Sequence, residues 1–152
     1  MLASRQVIEA MRQRLIDAST SAGARVYIGR AWPVEQTPAI KLFDVDQDLA
    51  ADESEDITWP RQRLHSLSVD VQCLVSDADA ADEQADALVV QVMRALEGTE
   101  DATTLYPLNG VRLSSQRISP NPQADNAAAA VSKTVAFTAT FATSSDDPET
   151  LI

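Results

Sequence analysis

The chain has 152 residues, with 23 acidic and 12 basic side chains and a formal net charge of −11. This charge repels the phosphates of nucleic acids and the head groups of anionic lipids, so neither specific nucleic-acid binding nor membrane association is expected. No segment approaches the ~18 consecutive apolar residues of a membrane span, and charge interrupts the apolar residues of the N-terminus, unlike a signal peptide. A cytosolic product is therefore predicted.

The first half of the chain predicts one helix and three strands. Val7, Ile8, Met11, Leu15 and Ile16 recur at steps of three and four residues, which predicts an amphipathic helix over about residues 4–19. The predicted strands follow in the segments "ARVYIG", "PAIKLFDV" and "RLHSLSVDVQCLV". In the last segment apolar residues alternate with polar ones, as in a strand with one buried face: Leu67, Val69, Val71 and Cys73.

The second half predicts another helix and two more strands. The helix lies in "SDADAADEQADALVVQVMRALEG", whose apolar stripe comprises Ala85, Leu88, Val89, Val92, Met93 and Leu96. The strands are "VRLSSQRI" and "VSKTVAFTATFAT", and residues 119–130 between them form a long hairpin connection rich in turn residues.

The order of elements is thus α-β-β-β-α-β-β, with adjacent strands and one long crossover. This order predicts an α+β fold: a single-layer, mixed or mainly antiparallel sheet of about five strands, with two helices packed on one side. Residues 1–143 are expected to form a single domain, and residues 144–152, which show no pattern, a flexible C-terminal tail.

No catalytic constellation or cofactor motif is visible, so neither an enzyme nor a cofactor is predicted. His65 is the single histidine, and Cys73 lies roughly 26 Å further along an extended strand, too far for a catalytic dyad. A buried thiol and a hydrogen-bonded strand-end imidazole explain both residues. A hydrolytic enzyme that depends on His65 remains a third alternative.

An acidic segment follows the second predicted strand, between Phe43 and Arg63. Asp44, Asp46, Asp48 and Glu55 fall at ligand positions of a calcium-binding loop. Leu49 stands where such a loop needs glycine, so no metal site is predicted. A calcium-dependent binding module remains the alternative from another functional class.

Two tryptophans, Trp32 and Trp59, each precede a proline in loop-like sequence. A large amphipathic ring in such a place either anchors an interface or folds back onto the core of its own domain. Both readings stay open for each residue.

The order of these segments resembles that of a known family. The helix leads into "VYIGRAWPV", "TPAIKLF", the acidic segment, "LHSLSVDVQCLV", a helix that ends in "MRALEG", and the final pair "LNGVRLSSQRI" and "VAFTATFAT". In this combination, over about residues 4–143, the chain resembles the tail terminator proteins of long-tailed bacteriophages, the lambda-type minor tail protein U family.

The resemblance implies a phage or prophage structural protein. Such a subunit forms a hexameric ring on the completed tail tube, stops tube polymerisation and presents the surface for head joining. Its implied partners are its own copies, the major tail tube protein and a head-completion or connector protein, with genome DNA passing through the ring. Its implied place is the head-proximal end of the virion tail, after assembly in the bacterial cytoplasm.

The resemblance also implies interface regions, at the loops after the early strands and in the last hairpin. Here these regions are the loop from Asp44 to Trp59 and the connection from Asn121 to Asn126. The predicted subunit or tube contacts are Arg30, Trp32, Asp52, Glu53, Trp59, Arg61 and Arg63. The acidic loop is expected to become ordered in the ring, against cations of a neighbour, or else to be a solvated surface loop. A tail completion or head-to-tail joining protein of the neck is the alternative in the same class.

Overall fold

The computed structural model describes residues 1–29, 36–51, 62–76, 79–97, 108, 110–121, 131–144 and 147–151. Within these residues the chain forms two α-helices, α1 (Ala3–Asp17) and α2 (Ala81–Glu97). The strands are β1 (Val26–Ile28), β2 (Ala39–Ala51), β3 (Gln62–Val75), β4 (Arg112–Asn121), β5 (Val131–Ser144) and β6 (Asp147–Leu151). The predicted α+β class and element order are confirmed, with β6 as an additional strand.

The strands form a single sheet in the order β1-β2-β3-β5-β4. β1 runs parallel to β2, and the pairs β2–β3, β3–β5 and β4–β5 are antiparallel, so the sheet is mixed, as predicted. β6 pairs with the end of β5 near Thr143 and Ser144, beyond the residues that pair with β4. Because β3 occupies the other side of β5 along its whole length, β6 extends the edge that β4 begins.

Both helices bury their apolar stripes against the same face of the sheet, here called the helix face. The alternating residues of β3 lie on it, and all four predicted ones are buried in the core. From the helices, Met11 and Leu88 are buried there, and Phe137 of β5 joins them in the same cluster. The alternating apolar residues of the strands and the apolar stripes of the helices therefore pack together in one hydrophobic layer, as the sequence predicted.

The opposite face of the sheet, here called the open face, is polar. Its central rows carry side chains that are exposed or partly exposed: Ser66, Ser68, Asp70, Gln72, Thr134, Thr138 and Thr140. Towards the ends of β2 and β3, this face borders a concavity of about 420 Å³ lined by residues such as Asp48, Leu64 and Arg112. No described helix packs on these central rows.

β2 is longer than the sequence predicted. Residues 44–51, expected to belong to an acidic loop, pair with β3 from Asp44 opposite Val69 to Ala51 opposite Arg63, with a bulge after Asp44. The side chains from Asp44 to Leu49 are all exposed, so no apolar alternation marks this part of the strand. Backbone pairing with β3 keeps this part of β2 extended although neither of its faces is buried. The sequence therefore shows no apolar pattern for a strand here, and the prediction of a loop over residues 44–51 was wrong.

The C-terminal residues also differ from the expected flexible tail, because Asp147–Leu151 forms β6. The N-terminal amino group lies 2.6 Å from a carboxylate oxygen of Glu149, and the Gln6 side chain donates a hydrogen bond to the Glu149 carbonyl at 2.7 Å. The tail is thus fixed by contacts with the start of α1, which is far away in sequence.

Candidate assembly surfaces

The structure describes one of the seven predicted interface residues. Arg63 lies on β3, opposite Ala51 of β2 and Thr143 of β5, and its side chain is exposed. The others lie outside the described residues: Arg30, Trp32, Asp52, Glu53, Trp59 and Arg61. The predicted connection from Asn121 to Asn126 lies outside them too, apart from Asn121, which ends β4. The predicted contacts therefore remain proposals.

Arg63 borders a cavity of about 250 Å³ where the hairpin of β2 and β3 meets the start of α1. Leu2 and Ser4 line it at the start of α1, and Leu49 and His65 line it from the hairpin. Two exposed apolar side chains, Leu49 and Leu64, lie in the same part of the hairpin. This end of the molecule combines a cation, exposed apolar groups and a concave surface, a composition that suits a protein contact.

His65 connects the neighbouring strands at this end of the sheet through side-chain hydrogen bonds. Its Nδ1 lies 2.8 Å from Nε2 of Gln47 on β2, and its Nε2 lies 2.8 Å from the hydroxyl of Thr143 on β5. Burial lowers the pKa of His65, and the positive charge of Arg63 lowers it further. The neutral imidazole accepts from Gln47 and donates to Thr143, so the ring links three strands, in agreement with the hydrogen-bonded strand-end interpretation.

The three aspartates of the alternative calcium loop lie on β2 in extended conformation. Asp46 and Asp48 follow each other on one face of the strand, at a spacing of roughly 7 Å. A calcium-binding loop instead turns sharply, so that its successive oxygen ligands surround one ion. Among the described residues no three His, Cys, Asp or Glu side chains are grouped to hold a metal ion, and Glu55 lies outside them.

Sequence reasoning missed two cations, Arg112 and Arg117, which lie exposed on the edge strand β4. Arg117 pairs opposite Ala136, and the bulge after Ser115 precedes it. A signal for them was available, because charged side chains and a proline are typical of exposed edge strands, and β4 also contains Pro120.

Neither described helix has the length and apolar composition to cross a membrane. No protein-family model and no curated protein matches the chain. Among solved structures, the chain is similar to a protein chain in "Virion of native gene transfer agent (GTA) particle", with 19% sequence identity and a TM-score of 0.50. The match covers 88% of this chain and 92% of that chain. At this identity the likeness shows a shared fold, while the tail terminator family stays a prediction.

Proposed function

We propose that this chain is a structural protein of a phage or prophage virion and that it acts there as a tail terminator. As a hexameric ring it caps the completed tail tube, stops further polymerisation and offers the surface to which the head joins. Its partners are its own copies, the major tail tube protein and a head-completion or connector protein. Its place is the head-proximal end of the tail, and its role involves no catalysis.

The observation that carries this proposal is the fold shared with a protein of a gene transfer agent virion, matched over 88% of this chain and 92% of that one. Because each chain is nearly spanned by the other, the likeness concerns the whole fold rather than one common motif. It supports a virion component, and the order of segments along the sequence supports the finer assignment to the tail terminator.

The distribution of surfaces also supports an assembly role. A ring subunit must contact two neighbours, the tube on one side and the head on the other. The chain offers two sheet edges, an open polar face, and the hairpin end with Leu49, Leu64 and Arg63. The helix face is buried against α1 and α2 in the core, so the edges, the open face and the hairpin end remain accessible to partners.

The test is to add the purified chain to polymerising major tail tube protein and to measure tube lengths by electron microscopy. A terminator limits the lengths when it is present during growth, and it binds one end of the tubes when it is added after growth is complete. A tube length distribution that does not respond to the chain would contradict the proposal.

The same preparation separates the alternatives. A joining protein of the neck would bind isolated connectors and leave tube growth unchanged. A calcium-dependent module would gain thermal stability on addition of Ca²⁺. Loss of a hydrolytic activity in His65→Ala would be needed for the enzyme alternative.

A further inference from the structure

We propose that copies of this chain join side by side through opposite edges of their sheets. Asp46 and Asp48 on β2 of one copy face Arg112 and Arg117 on β4 of the next. The partner for this surface is therefore a second copy of the chain. The inference deepens the proposed function, on which it rests, because it supplies the lateral contact of the ring.

Each edge of the sheet has a stretch without a described neighbouring strand. β4 ends the strand order on one side, and no described strand pairs with its outer edge. On the other side β1 covers just the start of β2, since its three residues pair with Ile40, Lys41 and Leu42. From Asp44 to Ala51, β2 has no described strand on its outer edge.

The charges on the two edges lie at matching heights along the strands. One row of the open face runs from Asp48 through Ser66 and Thr140 to Arg112. The acid and the base of this row thus lie on opposite edges, at the same level and on the same face.

The next two rows carry the second acid and the second base. Asp46 shares its row with Ser68, Thr138 and Ser114, one step along the open face from the row of Arg112. The following row of this face ends in Arg117. Asp46 therefore lies at a level between the two arginines of the opposite edge.

The side chains of Asp46, Asp48, Arg112 and Arg117 are accessible to a partner. All four side chains are exposed. Within the part of the chain that the structure describes, none of them belongs to an ion pair. Asp46 accepts a hydrogen bond from the neighbouring Gln47 amide at 2.9 Å, and this leaves its second oxygen without a described donor.

The signs of these charges determine which edges attract each other. A contact of β2 with β2 would place carboxylates against carboxylates, and a contact of β4 with β4 would place arginines against arginines. Copies with a net charge of −11 already repel each other, so a stable contact needs local attraction. Of these three contacts between described edges, the one between β2 and β4 provides it.

Such a contact is heterologous, because it uses two different surfaces, and rotation from copy to copy closes it into a ring. The strand directions alternate from β2 through β3 and β5 to β4, so β2 of one copy and β4 of the next run antiparallel. When the ring axis runs along the strands, equal levels meet. Asp48 then lies opposite Arg112, and Asp46 lies between Arg112 and Arg117.

Side chains rather than a continuous main-chain ladder carry this contact. The carboxylate of Glu97, at the end of α2, accepts hydrogen bonds from both the backbone amide and the hydroxyl of Ser115. Ser115 lies at the bulge of β4, so its backbone donor is already used. A neighbouring strand cannot pair through that point.

The first test uses charge reversal. Arg112→Glu and Asp48→Lys, each alone, should weaken association between copies by about tenfold or more at moderate ionic strength, because attraction becomes repulsion in every contact. The combined variant Asp48→Lys with Arg112→Glu should restore most of the assembly, since the pair at positions 48 and 112 is exchanged, the contact of Asp46 with Arg117 is kept, and the net charge remains −11. Association is measured by light scattering over a range of protein concentrations.

Matched controls separate a local effect from a change in net charge. Arg94→Glu and Glu83→Lys reverse exposed charges on α2, which packs on the helix face, whereas Asp48 and Arg112 belong to a row of the open face. These variants should assemble like the natural chain. If Arg112→Glu assembles as well as the natural chain, or if the exchanged pair does not restore what either single change removes, the inference is wrong.

Cross-linking provides a readout that also works when association is weak. Cysteines at positions 48 and 112 of one copy are separated by three strand spacings, roughly 14 Å, which is too far for an intramolecular disulfide. Asp48→Cys with Arg112→Cys should therefore give, on oxidation, a ladder of linked copies that ends at the size of the ring. Each single variant has one added cysteine per copy and should give no product larger than a dimer. If the concentrated double variant gives no ladder of linked copies, the inference is contradicted.

Failure of this inference can be distinguished from failure of the proposed function. If the natural chain limits tube length and Arg112→Glu does so equally well as an assembled ring, the edge contact is wrong and the terminator role stands. If the double cysteine variant gives the ladder but the natural chain leaves tube growth unchanged, the contact stands and the terminator role is wrong.

Discussion

His65 and Phe141 stack in parallel, with ring centroids 4.7 Å apart and 7° between the ring planes. The two residues are direct partners on β3 and β5. The ring also bonds Thr143 on β5 and Gln47 on β2, so a single neutral imidazole holds the extended ends of three strands. These ends border both the cavity beside α1 and the edge that carries Asp48.

The stability of the fold should depend on the protonation of His65. Burial and the charge of Arg63 lower its pKa in the folded chain, below the ordinary value of about 6.5 that holds in the unfolded chain. The unfolded state then binds the proton more readily, so the stabilisation from this group is complete above about pH 6.5 and is lost as the pH falls towards the folded pKa. The melting temperature should therefore decrease on acidification.

The matched variant for this prediction is His65→Gln, which keeps a hydrogen-bonding side chain and removes the titration. Between about pH 7.5 and pH 5.5 its melting temperature should fall less than that of the natural chain. If the melting temperature falls equally with pH in the two proteins, His65 does not contribute to the pH dependence of stability.

Phe137 should be among the most sensitive positions of the core. Its side chain is 1% exposed, and it faces the helices from the centre of β5. Phe137→Ala removes a whole ring from a close-packed layer and should lower the free energy of unfolding by about 3–5 kcal/mol. Thr138→Ala, one residue further and on the open face, should cost less than about 1 kcal/mol. Urea unfolding measures both changes, and similar losses for the two variants would contradict the assignment of the faces.

Cys73 should be chemically inert in the folded chain. Burial raises the pKa of its thiol to about 12, so almost no thiolate exists at neutral pH. A thiol reagent such as Ellman's reagent should react with it at the rate of global unfolding in native buffer, and immediately in denaturant. Rapid modification of the native chain would show that this strand opens locally.

Asp147 should hold the start of β6. Its carboxylate accepts hydrogen bonds from the hydroxyl of Thr150 and from the amide of Glu149, and these bonds lower its pKa. Asp147→Ala should accelerate amide hydrogen exchange over residues 149–151, while exchange in the middle of β5 stays unchanged. Unaltered exchange over residues 149–151 would mean that the contacts of Glu149 with α1 suffice to hold the strand.

Sequence patterns predicted the elements that bury one face. The alternation from Leu67 to Cys73 and the helical spacing from Val7 to Leu15 are visible because the helix face excludes water from every second, or every third and fourth, residue. The same reasoning failed at Asp44–Leu49 and at β6. There the strands are held by backbone pairing and by polar contacts with distant residues, and such strands need no apolar pattern.

The sequence by itself therefore determined the α+β class, the order of its elements, the apolar layer between helices and sheet, and a charge that disfavours anionic partners. The tertiary structure decided which side chains become neighbours across strands. It brought Gln47, His65 and Thr143 into one hydrogen-bonded group, and it placed Asp48 and Arg112 at one level on opposite edges. The physical reason is that local propensity and periodicity depend on residues a few positions apart, whereas register and strand order arise when the whole sheet is assembled.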